Sequence, residues 1–371
     1  MSNAATFFIR TNLRAAISVS IILLVAILFT GFLSSAYKRE RQARAQQHFN
    51  HGQALTRSGD LNGAVDEYRK ALVFSPDDKN YRLALATALL SLGRLDEAQS
   101  HLEELLEDEP TDGLINLMLA RVAEKRKRSK DVVEFYQRAV YGYWPQDKMA
   151  ARHRARWELV GLLEKEGRST ELIGELLQLY ANAGDDPNEK ARIGFLLLKY
   201  GATSDAVNVF RELARNSPKY VEAHHGLGQS YLQSGDFLAA RREFQRAMHL
   251  DPNDRENVQS LAFANAAINI DPFMPRLSSS DRYRRSCALL NRVLSHLEAC
   301  SEGKVLPDPL KQRVEAAQKL LSGKPQPEID DANLQLQDTA QALWNDQDRF
   351  CGGRSIEDKP LDAVLTRIGH E

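Results

Sequence analysis

Cysteine is scarce in this chain: three residues in 371, at positions 287, 300 and 351. A disulfide-dense secreted scaffold is thereby excluded. A bias of one charge is absent too, since 49 Lys and Arg face 50 Asp and Glu. A general nucleic-acid binder would carry a strongly basic domain, so no nucleic-acid partner is expected. Signatures of chemistry are also missing. There is no Gly-x-Ser-x-Gly or His-Glu-x-x-His, and Gly352-Gly353 lacks the frame of a phosphate-cradling loop. His48 and His51 share a helical face but have no third ligand nearby, and the adjacent His224 and His225 point to different faces. The expectation is therefore no catalytic residue, no metal, no cofactor and no enzyme.

What is present is a spacing. Pro76 and Pro110 lie 34 residues apart, as do Pro218 and Pro252. Counted from Ala45, Gly52 stands at position 8, Leu55 at 11, Gly59 at 15, Ala64 at 20, Tyr68 at 24 and Ala71 at 27. Counted from Val221, the same offsets hold Gly228, Tyr231, Gly235, Ala240, Phe244 and Ala247. Small residues at 8 and 20 let two helices approach, and the bulky residues at 11 and 24 fill the space left. Proline at 32 ends the second helix, because it lacks an N–H and clashes with the preceding turn. Gly59, Gly93, Gly201 and Gly235 occupy the turn position that favours positive φ. Further units start at Lys79, Gly113 and Pro187. A looser fourth starts near His153 or Arg154, after six extra residues around Tyr141 to Ala150.

A period of 34 with this pattern resembles the tetratricopeptide repeat, here of a membrane-anchored, bacterial type. The resemblance covers roughly residues 45–270 and implies an all-α, right-handed superhelical solenoid of antiparallel helix pairs that binds other proteins. It also implies a concave groove lined by positions 2, 5, 9, 12 and 13 of the first helices. In the first three units those positions give Phe49, Gln53, Leu83, Thr87, Leu90, Leu117 and Arg121 as candidate groove residues. Some members clamp a peptide carboxylate with Lys at 5 and Asn at 9. This chain has Phe49 with Gln53 and Leu83 with Thr87, so that clamp is missing and an amphipathic helix or extended apolar segment suits the groove better.

No charged residue falls between Arg14 and Lys38, a stretch long enough to cross a hydrocarbon core. Residues 15–37 are accordingly expected to form a transmembrane anchor after a tail at 1–14. A cleavable signal peptide ending near Ser34-Ser35-Ala36 is the alternative. Arg10 and Arg14 precede the segment, and Lys38, Arg39, Arg41 and Arg44 follow it against Glu40. The charge rule leaves both orientations open. The short arginine-bearing tail favours a single pass in the plasma (inner) membrane with the repeats extracytoplasmic.

A seventh unit begins at Arg255 and loses the pattern at Asp271-Pro-Phe-Met-Pro275. Residues 271–371 are expected to form a helical cap. Its helices are read near 281–300, with Tyr283, Cys287, Leu290, Leu294 and Leu297 as one stripe, and at 308–322, 330–350 and 360–368. The first of these is a candidate displaced second helix for the seventh unit. Gly323-Lys-Pro-Gln-Pro-Glu reads as a linker, and Lys125-Arg-Lys-Arg128 as a solvated turn. A Cys300–Cys351 disulfide is expected if the repeats face an oxidising compartment, and three free thiols if they do not. Tyr143, Trp144, Arg152, Arg154 and Arg156 form a candidate contact patch, the alternative being a solvated helix face with Trp157 in the core. The chain as a whole reads as a membrane-anchored scaffold that recruits partner proteins at a cell envelope. A self-associating envelope component, a homo-oligomer, is the alternative reading.

Overall fold

The computed structural model describes the backbone of residues 2–127, 129–302, 304–323, 329–351 and 359–368. Side chains are described for residues 23–25, 27–127, 131–302, 304–323, 331–351 and 359–367. Within these residues the chain is helical throughout. The first half comprises α1 (Ser2–Ser58), α2 (Leu61–Phe74), α3 (Lys79–Ser91), α4 (Leu95–Asp108), α5 (Gly113–Lys125), α6 (Ser129–Tyr141), α7 (Met149–Lys165) and α8 (Ser169–Asn182). There follow α9 (Pro187–Lys199), α10 (Thr203–Asn216), α11 (Val221–Gln233), α12 (Phe237–Leu250) and α13 (Arg255–Ile270). Last come α14 (Ser279–Ser301), α15 (Asp308–Ser322), α16 (Ile329–Cys351) and α17 (Lys359–Ile368).

Five first helices begin at the residues that open a repeat: Lys79, Gly113, Pro187, Val221 and Arg255. The residue before most of them is an aspartate used as a cap. Asp78 accepts from the Asn80 and Tyr81 N–H groups, Asp112 from Leu114 and Ile115, Asp186 from Asn188 and Asp254 from Glu256. The turn glycines Gly59, Gly93, Gly201 and Gly235 have φ of 88°, 76°, 79° and 77°. In the third unit Lys127 holds that place at φ 55° without being a glycine. The pairing of positions 8 and 24 is close. A Cβ on Gly52, Gly194 or Gly228 would lie 2.6 Å from the ring of Tyr68, Phe210 or Phe244.

Two expectations shift. The fourth unit's helix starts at Met149 rather than His153 or Arg154, following a 3-10 turn at Gln146–Lys148. The buried face of α14 is Ser286, Leu289, Leu290, Val293 and Leu297, with Tyr283, Cys287 and Leu294 only partly covered.

The chain divides into two compact units, Met1–Arg168 and Ser169–Glu371, with the boundary inside the repeat array. In the second unit one core joins Phe237, Ala267 and Ile268 to Leu290, Leu343, Trp344 and Leu365 of the tail. Of the tail helices, the one that packs most along α13 is α17, not α14. Arg367 of α17 reaches the fully buried Asp271 carboxylate at 2.8 Å and the Gly235 carbonyl at 3.3 Å. α14 pairs instead with α16.

Among the described residues no helix is long and apolar enough to cross a membrane. Of the expected anchor at 15–37, the side chains of residues 15–22 and 26 lie outside those described. Arg128, the linker residues 324–328 and Gly352-Gly353 lie outside the described residues as well.

Candidate functional site

The groove expected in the first three units is brought together only in part. Thr87, Leu90 and Arg121 line one hollow of about 590 Å³ with Glu124, Tyr136 and Glu158. Leu83, Leu90 and Leu117 are 9, 6 and 2% exposed, so they are core and not anchors for a partner. Phe49 sits between the rings of Tyr81 and Tyr68, at 4.7 and 5.7 Å, and Gln53 is half-buried. The leucines at these groove positions are thus buried within the chain and withdrawn from solvent.

Ions fill what remains of that hollow. Arg121 makes a two-pronged pair with Glu158 at 3.0 and 2.6 Å. The Tyr136 hydroxyl lies 3.1 Å from both Glu124 and Glu158. Hydrogen bonding to Glu158 raises the Arg121 pKa, and burial followed by the two carboxylates raises that of Tyr136. The surface is thus already charge-paired within the chain.

A second and larger groove lies in the unit Ser169–Glu371, about 830 Å³ in volume. Phe195, Lys199, His225, Gln229, Gln233, Gln259 and Phe263 contribute to its wall, with Lys359 of α17 at the end. Counted from Pro187, Val221 and Arg255, the seven wall residues on α9, α11 and α13 fall at positions 5, 9 and 13. The offsets applied to the first three units would therefore have found them in the later ones. Phe195, 36% exposed, rests edge-on against Phe210 with centroids 4.9 Å apart. The His225 Nδ1–H donates to Asn257 Oδ1 at 2.5 Å, which fixes the ring beneath the groove. Its Nε2 lies 3.4 Å from the Gln229 amide and 3.3 Å from Glu256. Gln229 also donates to Ser260 at 3.1 Å. Aromatic faces, orientable amides and two lysines are what a peptide segment with an apolar side chain requires.

The contact patch comes apart. Trp144 is buried over Gly113, its indole N–H donating to the Ala139 carbonyl at 2.7 Å. Arg156 is buried against the Tyr141 ring, and Arg152 donates to the Val140 carbonyl at 2.7 Å. Only Tyr143 and Arg154 are exposed. The Tyr143 backbone bonds to Thr111 and Gly113, closing the six-residue insertion onto the start of α5. Trp144 and not Trp157 supplies the core residue, while Trp157 is half-buried.

Cys300 and Cys351, at the ends of α14 and α16, are joined in a disulfide with Cα atoms 6.0 Å apart. Gln337 donates to Ser286 at 3.0 Å, a separation of 51 residues that matches the 51 of the bridge. The two helices therefore run parallel in one register. Cys287 is free, and burial raises its thiol pKa.

A family model for the tetratricopeptide repeat matches residues 55–122 and 197–262. These two stretches of the chain are tetratricopeptide repeats. This repeat protein is 22% identical to Hsp70-Hsp90 organizing protein 2 of Arabidopsis thaliana over 279 residues, 71% of this chain and 46% of the relative. It is 26% identical to DnaJ homolog subfamily C member 7 of Homo sapiens over 110 residues, 30% of this chain and 22% of the relative. It thus spans less than half the length of these curated relatives. Among solved structures, YrrB, a TPR protein with an unusual peptide-binding site, is 16% identical with a TM-score of 0.39. That match covers 52% of this chain and 96% of YrrB. The pilF protein of Pseudomonas aeruginosa is 14% identical with a TM-score of 0.39, covering 60% and 99%.

Proposed function

We propose that this repeat protein is a membrane-anchored scaffold that holds a segment of a partner protein in the groove of its second unit. The carrying observation is the position of Phe195, His225, Gln229 and Phe263 on three successive first helices around one hollow of about 830 Å³. An apolar side chain of the partner seats on Phe195 and Phe263. Gln229, Gln233 and Gln259 bond its backbone, and an acidic neighbour meets Lys199 or Lys359.

The anchor half of the reading is supported by the described part of residues 15–37. Leu23, Leu24, Val25, Ile27, Leu28, Phe29, Phe32 and Leu33 are each more than half exposed, on every face of α1. A helical stretch apolar all round, with its described side chains this exposed, is suited to lipid. The extracytoplasmic orientation is supported by the Cys300–Cys351 pair.

The test is a peptide-display selection on the full chain in detergent micelles, followed by affinity measurement of the enriched peptides. Enrichment of apolar or aromatic residues is expected, with a loss of ten-fold or more in affinity for Phe195→Glu and Phe263→Glu at unchanged helicity. Equal binding by both variants would remove the groove as the site.

A further inference from the structure

We infer that the first repeat is itself a membrane-surface element. The end formed by the α1 stretch 38–44 and the last turn of α2 lies against anionic lipid headgroups. The inference rests on the anchor reading above and adds what the array does on leaving the bilayer.

No turn separates the apolar segment from the repeats, since α1 is one helix from Ser2 to Ser58. Ala45, the first buried core residue of the array, follows Tyr37 by eight residues. At a helical rise of about 1.5 Å per residue that is roughly 12 Å. The headgroup layer is itself about 5–8 Å deep on each side. The first repeat thus begins where the headgroups end.

Arg41 sets the level of α2. Its guanidinium lies 5.9 Å from the centre of the Tyr37 ring. The same group donates to the Val73 carbonyl at 3.2 Å. The C-terminal end of α2 is therefore level with Tyr37, the aromatic expected at the interface. Val73 on that turn is 72% exposed. Its neighbour Phe74 turns inward and stacks on His48 at 5.7 Å.

Charge decides the occupant. Lys38, Arg39 and Arg44 are exposed around the same end of α1. Glu40 is paired with Arg44 at 2.6 Å, which leaves Lys38, Arg39 and Arg41 in excess. Asp77 and Asp78 are the opposing charges on the loop that follows, the Asp78 carboxylate being turned to the start of α3 as its cap. A basic collar with an aromatic and one outward aliphatic side chain fits an anionic bilayer surface.

The experiment uses the full chain with Cys287→Ala, reconstituted in phosphatidylcholine vesicles with or without phosphatidylglycerol. Single fluorophores are placed through Leu28→Cys, Val73→Cys or Ser58→Cys. Nitroxide lipids quench them, either from the headgroup or from deep in the acyl chain. Ser58 is the reference, since it lies 21 residues beyond Tyr37 on α1. The Leu28 label should be quenched from the acyl chain. The Val73 label should be quenched from the headgroup at least three-fold more than the Ser58 label. Phosphatidylglycerol should strengthen that effect, and the pair Lys38→Gln with Arg39→Gln should weaken it. A quenched Leu28 with Val73 no different from Ser58 overturns the inference alone. An unquenched Leu28 overturns the anchor reading and the inference with it. Excimer emission from Val73 labels in place of quenching assigns the surface to a second copy and overturns the lipid assignment.

Discussion

Histidine at position 4 of a repeat is a structural joint in this chain. His48 lies 2.7 Å from Glu67, which also accepts from Lys70. The same offsets recur in His224, 2.9 Å from Glu243, which accepts from Arg246. Hydrogen bonds from Lys70 and then His48 pull Glu67 down to about 2. Hydrogen bonding to Glu243 raises the His224 pKa above 6.5. Burial alone would raise Glu243, but His224 and Arg246 outweigh it and hold the carboxyl below 4.5. Stability from a raised histidine is present below its ordinary value and is lost as pH climbs through the raised one. Stability from a lowered carboxylate is present above its ordinary value and is lost as pH falls through the lowered one. The pair therefore contributes fully between pH 4.5 and 6.5. His224→Gln should cost about 2 kcal/mol by urea unfolding at a pH inside that window. The gap should narrow at pH 8 and again at pH 3, and a gap independent of pH would refute the pairing. Lys127 gives a residue-scale prediction of the opposite sign. Its φ of 55° and exposed side chain make Lys127→Gly stabilising by about 1 kcal/mol in the same measurement.

At the scale of elements, the repeat helices were legible and their closure was not. A period of 34 fixes a helix start because each first helix must meet the one before it in the same register. The starts at Lys79, Gly113, Pro187, Val221 and Arg255 follow directly. The fourth start moved because the insertion folds back onto α5 and feeds a 3-10 turn into Met149. Leu83 and Leu117 were misread as groove residues because an offset fixes a direction but not what already lies there. The cover of α13 was out of reach for another reason, since its partner helix comes from 96 residues away along the chain. Arg367 makes that closure testable. Asp271 is fully buried, and it also accepts from the Phe273 N–H at 2.8 Å. Arg367→Ala takes away a cationic partner of that carboxylate and should destabilise the protein by about 3 kcal/mol. Adding Asp271→Asn to that variant should recover part of the loss in thermal unfolding, because no buried charge is then stranded. A double variant as unstable as the single one would show that Arg367 acts through packing instead.

At the scale of the whole molecule, the cysteines tie the fold to its compartment. α14 and α16 lie parallel, held at one level by Gln337 and Ser286 and at their ends by Cys300 and Cys351. Parallel helices cannot be joined by a short turn, so the intervening chain must run the full length back through α15 before α16 begins. The bridge closes that excursion, with a sequence separation of 51. Removing loop entropy of this size from the unfolded chain is worth about 4 kcal/mol, less any strain. The gain exists only where thiols are oxidised, and cytosolic pools keep such pairs reduced. Cys287 supplies an internal reference, being the free thiol on α14. Protein taken from its native host into acid and denaturant, then alkylated without reductant, should carry one label, on Cys287. Reduction before alkylation should give three. The reduced form should also unfold at lower urea, and the proteolytic sites it gains should lie in α14–α17. Three labels without reductant would mean the bridge is not made in the cell. The extracytoplasmic orientation would then lose its chemical support, and the cytoplasmic one would become the better reading.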